Sequence, residues 1–211
     1  MSIVIFNTIV DEQNLTEFSK HNKYLKNKAY DIRKTSNTKS SVNWRCDTFS
    51  TLDYYDAIKD NDLIVKDLIS IVSNKIKNFA IEYGVNDNAY DLKCTDFWFN
   101  ISSHGNYQEY HQHPNSHFSV VYYVNSPENC GNIVFKSAES LTDMVCLPVN
   151  ESCINLNSAK THSIVPKESN LLIFKSNLIH MVEKNYSNED RISISMNFVL
   201  FPKMKNYIHQ I

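Results

Sequence analysis

Glycine is nearly missing from this sequence. Only three occur, at 84, 105 and 131, so neither a G-x-G-x-x-G turn nor a G-x-x-x-x-G-K-[ST] loop can be built, and enzymes that cradle phosphates on glycine-rich loops are excluded. Paired cysteines are missing too. Cys46, Cys94, Cys130, Cys146 and Cys153 are odd in number and none stands at C-x-x-C spacing, which fits reduced thiols in a cytoplasmic compartment better than a disulfide framework or a thiolate zinc site. There is no charge excess: 21 Lys+Arg against 23 Asp+Glu leave a net charge of −2, which gives no electrostatic footing on nucleic acid or an acidic membrane. No run approaches the roughly 18 to 20 apolar residues of a membrane helix. The start, MSIVIFNTIVDEQN, has no basic leader and too short an apolar run for a signal peptide.

What is present is a globular composition, 42% hydrophobic and 21% charged over 211 residues, enough for a single domain with one core. The pattern predicts a first strand over 2–10 (SIVIFNTIV), a mixed polar stretch over 11–28 and a loop over 31–44. A long helix follows at about 60–83, where Ile64, Leu68, Ile71, Val72, Ile76, Phe79 and Tyr83 recur at helical spacing. Asp60 or Asn61 is placed to cap its start, and Gly84 to close its end in a left-handed conformation. From about residue 90 the period changes to short β runs at 96–101, 107–113, 118–124, 132–136, 153–155, 162–165, 170–175, 179–183 and 191–200, separated by HGN, HPNS, NSPENCGN, PVNES, PKESN and KNYSNED. This order predicts a mainly β fold with α: a sandwich or barrel of the jelly-roll, cupin-like kind, covered by helices on one face. The expected organisation is one domain over 1–211, with a strand and supporting helices in 1–90, the β core in 91–201 and a tail in 202–211.

Four of the eight histidines fall between 104 and 117. His111 and His113 are two apart, so on a strand both imidazoles point to one side and can chelate a divalent cation such as Fe, Zn, Cu or Ni. His180 follows the apolar run LLIF and can arrive beside them. Arg191 and Ser193 share a face at the head of RISISMNFVL, where a guanidinium fork and a hydroxyl can hold a carboxylate; the plainer alternative is an ion pair of Arg191 with Glu189 or Asp190. Ser119, Val121 and Tyr123 share one face of their strand, with Tyr122 on the other. Asn100 and Asn197 are placed to line a pocket, Trp98 alternates with Asn100, and His104 and His117 read as loop residues at its mouth. His162 can enter the cavity without a defined role, and Gly131 sits in a tight turn.

The ordered set HxH, YY strand, distal His and RxS resembles the iron(II)/2-oxoglutarate-dependent dioxygenase superfamily. It is closest to the 2OG-Fe(II) oxygenases of phages and marine bacteria. The resemblance is carried by His111-Gln112-His113-Pro114-Asn115-Ser116, Val121-Tyr122-Tyr123-Val124, Leu172-Ile173-Phe174 through His180, and Asn188 to Phe198, within about residues 95–200. It implies a double-stranded β-helix, with Fe(II) on His111, His113 and His180. It also implies 2-oxoglutarate held by Arg191, Ser193 and Tyr123, O2 as the oxidant, and hydroxylation of a C–H bond of a small-molecule or peptide substrate with release of succinate and CO2. The superfamily usually has Asp or Glu where this sequence has His113; Glu109 shares strand parity with His111 and is an alternative carboxylate. Two other readings stay open: a three-histidine cupin-like dioxygenase without 2-oxoglutarate, and a non-catalytic metal- or ligand-binding β module. A cytoplasmic, phage-encoded protein and a homodimer paired through a strand edge are further expectations.

Overall fold

The computed structural model of the chain describes residues 7–36, 45–52, 61–138, 148–155 and 158–203. Its longest helix, α2 (Leu63–Glu82), forms on the expected periodicity. Val65, Leu68, Val72, Ile76 and Phe79 make one fully buried stripe. The cap is Asp62, one residue beyond the expected pair. Its carboxylate accepts the N–H groups of Ile64 and Val65, while Asn61 takes a left-handed φ of 54°. At the other end Gly84 has φ 77°, its N–H bonds the Ile81 carbonyl, and the Val85 N–H returns to Ala80; this is a Schellman closure.

The shorter helix α1 (Asn22–Thr35) follows a 3-10 turn at Thr16–His21. It overturns the loop expected from residue 31 as far as Thr35. Leu25 and Ala29 are fully buried beside Leu15 and Phe18, and such tertiary anchoring holds a helix whose residues are mostly polar. The remainder of that loop, 37–44, and residues 2–6 of the expected first strand lie outside the described residues.

Ten strands are seen among the described residues: β1 (Val10–Asn14), β2 (Phe49–Ser50), β3 (Tyr90–Ser102), β4 (Gln108–His111), β5 (Phe118–Asn125), β6 (Ile133–Lys136), β7 (Thr161–Ile164), β8 (Asn170–Lys175), β9 (His180–Val182) and β10 (Arg191–Pro202). They form two antiparallel sheets, ordered β1-β8-β5-β10-β3-β2 and β4-β9-β6-β7. The first strand therefore runs through polar VDEQN on a sheet edge, later than its apolar neighbours predicted. The strand expected over 153–155 is replaced by a 3-10 turn at Glu151–Cys153, capped by the Asn150 side chain.

Strand alternation sorts the six-stranded sheet into two faces. Phe97, Phe99, Ile101, Val120, Tyr122, Ile192, Ile194 and Met196 pack in one core with the buried residues of α1 and α2. Tyr122 also donates its hydroxyl to Asn22 Oδ1 at 2.7 Å. The other face, bearing Trp98, Asn100, Val121, Tyr123, Arg191, Ser193, Ser195 and Asn197, lines the space enclosed with β4, β6 and β9. This is the expected jelly roll, with its helices on one face.

Candidate active site

Between the sheets lies a cavity of about 200 Å³. Its floor is a ladder of cross-strand rows on β3, β10 and β5: Asn100–Ser193–Tyr123, Trp98–Ser195–Val121 and Asp96–Asn197–Ser119. Arg191, paired with Ser102, stands at one end of the ladder.

At the other end, three histidines meet. His111 and His180 are cross-strand partners on β4 and β9, with ring centroids 4.3 Å apart. His113 joins them from the following turn, and one nitrogen from each ring lies within 4.8 Å of the others. The shared parity of His111 and His113 was expected from a strand running to 113, but β4 ends at His111. Pro114 cannot donate to a ladder, Asn115 turns the chain at φ 66°, and the His113 N–H is held by the Ser176 carbonyl at 2.9 Å.

Each imidazole has its Nδ1 tied down: His111 to the Glu109 carbonyl at 2.7 Å, His180 to the Leu178 carbonyl at 2.8 Å, and His113 to Asn197 Oδ1 at 2.7 Å. A carbonyl acceptor requires a proton on Nδ1, so Nε2 is the nitrogen of each ring that carries the lone pair, the arrangement by which a protein orients a metal-binding histidine. Burial keeps the rings neutral. It lowers the pKa of His111 to about 4, with His113 nearby adding to the shift, and that of His180 to about 3, helped by His111; His113 is lowered by burial as well. Neutral imidazoles are the protonation state that a cation needs.

Arg191 presents the opposite situation, a fully desolvated charge. Nη1 donates to the carbonyls of Cys130 at 2.8 Å and Gly131 at 3.1 Å, and Nη2 donates to Ser102 Oγ at 2.8 Å. Of five guanidinium donors, these leave Nε–H and one Nη2–H for a further acceptor such as a carboxylate. Among the described residues no acidic side chain lies within ion-pair distance. Asp190, the acid that adjacency offered, instead pairs with Arg33 at 3.4 Å and accepts from Tyr30. Beside the fork, the hydroxyls of Ser193 and Tyr123 face the cavity and have no partner among the described residues; burial raises the Tyr123 pKa, against the pull of Arg191. Gly131 makes the fork's seat. With φ 84°, a Cβ there would lie 2.3 Å from the Glu183 carbonyl oxygen, so only glycine lets the two chain segments approach.

Asn100 bonds Ser195 through Nδ2, while its buried Oδ1 has no partner among the described residues, an acceptor left for whatever fills the cavity. Val121, Ser193 and Asn197 line the cavity, and Ser119 lies beneath it, bonded to His113 and Asn197. Glu109 does not reach it: its carboxylate accepts the Arg45 N–H at 3.1 Å, outside the histidine cluster. His104 bonds the Ser187 carbonyl and His117 takes the Leu200 N–H; both are exposed, as is His162 on β7.

Comparison with known proteins fits this geometry. Residues 96–197 match the family described as "Putative 2OG-Fe(II) oxygenase". This segment, 102 of the 211 residues, is similar to that family. That family uses Fe(II), 2-oxoglutarate and O2. The fold of the chain is similar to that of a Pseudomonas putida prolyl-4-hydroxylase, with TM-score 0.62 and 13% identity over 93% of this chain and 94% of that one. It is also similar to a Trichoplax adhaerens prolyl hydroxylase in complex with a hypoxia inducible factor peptide, with TM-score 0.61 and 18% identity over 90% and 83%. A third likeness is to the viral collagen prolyl hydroxylase of Paramecium Bursaria Chlorella virus-1, with TM-score 0.54 and 14% identity over 90% and 94%. No curated protein matches in sequence.

Several site residues escaped the sequence reading. Asp96, Ser102 and Ser195 lie on the parity of Asn100 and Ser193, so period two extended along both strands would have found them. The carbonyls of Cys130 and Gly131 and the Ser176 hydroxyl carry no such signal; they come from loops set by tertiary packing.

Proposed function

We propose that this oxygenase holds Fe(II) on His111, His113 and His180 and binds 2-oxoglutarate with its far carboxylate on Arg191, Ser193 and Tyr123, hydroxylating a C–H bond of a small-molecule or peptide substrate. One observation carries the reading: a fully buried arginine with no acid beside it among the described residues, across one cavity from three neutral imidazoles. A desolvated cation without an anion costs several kcal/mol, and a dicarboxylate that also chelates a metal would satisfy both ends. The donor set fits, since imidazole nitrogen suits Fe(II) among divalent ions. Iron(II) with O2 supplies the oxidation, and 2-oxoglutarate leaves as succinate and CO2.

The chain's own part is orientation and exclusion of water. Nδ1 anchoring fixes the three rings, the carbonyls of Cys130 and Gly131 fix the guanidinium plane, and Trp98, Val121 and Ile133 supply apolar wall. The Asn100 Oδ1 supports a contact to a donor on a ligand. A wider groove of about 660 Å³ shares Gln108 and Val182 with the cavity and carries the exposed Tyr107, Tyr110 and Tyr186; it supports a substrate larger than the cavity itself, a peptide among them.

No described helix is long and apolar enough to cross a membrane. The free thiols of Cys46, Cys94, Cys130 and Cys153 support a reducing, cytoplasmic setting. The exposed β7 edge supports pairing with a second copy.

The test is release of succinate from 2-oxoglutarate by the purified protein with Fe(II) and O2, with and without candidate peptides. Binding of 2-oxoglutarate to the Fe(II) protein under anaerobic conditions is followed by absorption. Succinate release, or a new absorption band on 2-oxoglutarate addition, supports the proposal. If 2-oxoglutarate neither binds nor perturbs the spectrum, the site is a three-histidine centre of another kind.

A further inference from the structure

His113 stands where the superfamily pattern has a carboxylate, yet a carboxylate lies on the same side of the molecule. Asn197 Oδ1 accepts from His113 Nδ1 at 2.7 Å and from Ser119 Oγ at 2.9 Å. Asn197 Nδ2 in turn donates to Asp96 Oδ2 at 3.1 Å. Asp96 and Asn197 are cross-strand partners on β3 and β10, half-buried and buried respectively.

The order of this chain is fixed at its outer end. An amide can turn over and present either its oxygen or its NH2 to a neighbour. A carboxylate accepts and cannot donate, so Asp96 holds the NH2 of Asn197 and leaves the oxygen for His113. An oxygen there requires the proton on Nδ1 of the ring, and the Nε2 lone pair then faces His111 and His180. If the amide turned over, its NH2 would face Nδ1, the proton would move to Nε2, and His113 would lose its ligand atom.

We infer that Asp96 is a positioning residue: through the Asn197 amide it sets the tautomer of His113 and so completes the three-histidine metal site. The usual carboxylate has been replaced by one two hydrogen bonds further out. The other two rings need no such device, because backbone carbonyls can only accept. This rests on the metal-site reading above, and the test separates the two.

Two-bond ¹H–¹⁵N spectra of the metal-free protein report which nitrogen of His113 is protonated, and Co(II) titration followed by its visible absorption reports metal affinity. The wild type is expected to carry the proton on Nδ1. Asp96→Asn, whose new amide can donate as well as accept, is expected to populate the Nε2–H tautomer and weaken Co(II) binding by about tenfold or more. The double variant Asp96→Asn with Asn197→Asp moves the carboxylate next to His113 and is expected to restore both the Nδ1 proton and the affinity. It also keeps the test decisive if the single variant does not fold.

A bond that merely braces the sheet would lower the melting temperature of Asp96→Asn and leave tautomer and affinity unchanged. That result overturns the inference, as does a double variant protonated on Nε2. A wild type that carries the Nδ1 proton but takes up no Co(II) overturns the metal-site reading and leaves the orientation established by the spectra.

Discussion

Replacing Arg191 by alanine separates the two ends of the cavity. The substitution deletes Nε–H and the remaining Nη2–H, the two donors not used by Cys130, Gly131 and Ser102. Hydrogen bonds to a charged group are worth about 1.5–3 kcal/mol each, so losing both costs about 3–6 kcal/mol of 2-oxoglutarate affinity, roughly a 10²- to 10⁴-fold weaker Kd. The fold responds to opposing effects. Two carbonyls and a hydroxyl lose their donor, which destabilises, while a buried cation with no acid partner disappears, which relieves a desolvation cost. A melting curve therefore shifts much less than the Kd does. Arg191→Lys keeps the charge but loses the planar fork, and its affinity is expected between the two, with the loss of about one bond. The histidine cluster lies at the opposite end of the ladder, so Fe(II) content and affinity stay at the wild-type level in both variants. Anaerobic 2-oxoglutarate titration of the Fe(II) protein, with iron measured on the same samples, gives both numbers. An unchanged 2-oxoglutarate affinity in Arg191→Ala refutes the assignment, and so does loss of iron with affinity retained.

Three further outcomes follow from the same geometry. Gly131→Ala forces a Cβ to 2.3 Å from the Glu183 carbonyl oxygen at φ 84°; strain alone costs about 1–3 kcal/mol, so the melting temperature falls and 2-oxoglutarate binding weakens although the residue need not touch the ligand, and an unperturbed melting curve contradicts this. Tyr123→Phe removes one neutral donor worth about 0.5–1.5 kcal/mol, raising the 2-oxoglutarate Kd by roughly two- to tenfold with no change in metal affinity, as calorimetry will read. The third outcome concerns pH. Burial lowers the pKa of His111 to about 4 and that of His180 to about 3, from an ordinary imidazole value of 6.5. Between those values and 6.5 the unfolded chain binds more protons than the folded one. Stability of the metal-free protein is therefore full above pH 6.5 and falls as the pH drops towards 4 and 3. Urea midpoints across that range check it, against a His111→Gln and His180→Gln variant that is expected to show a flatter profile.

Much of this was legible in the sequence, because period two is a strong constraint. Tyr123 inward and Tyr122 outward, or Ser193 and Asn197 on one face, follow from alternation alone once the strands are placed. Where the reading failed, a partner far along the chain decided. β1 formed on polar VDEQN because β8 offered it a register. The helix over 31–35 depends on packing by Leu25 and Ala29 in the preceding turns. His113 reached the cluster although its strand had ended, because Ser176 captured its N–H. For Arg191 adjacency left a plainer alternative open, an ion pair with Glu189 or Asp190; in three dimensions Asp190 is taken by Arg33 and Tyr30, and the arginine turns inward.

The balance of charge in the cavity ties these observations together. A divalent cation on three neutral imidazoles, with Arg191 opposite, would carry three positive charges into a space enclosed by two sheets. A 2-oxoglutarate dianion would cancel two of them. In the usual superfamily pattern the ligand carboxylate cancels the third; with His113 in that position, the nearest acid joined to the site by hydrogen bonds is Asp96, one amide removed. An uncompensated buried charge costs several kcal/mol, so the substitution at 113 and the carboxylate at 96 are better understood as one arrangement than as a loss and an accident. The glycines fit the same account. With no phosphate loop available, an arginine is the group offered to an anion, and one of the three glycines supplies part of the carbonyl shelf on which that arginine rests.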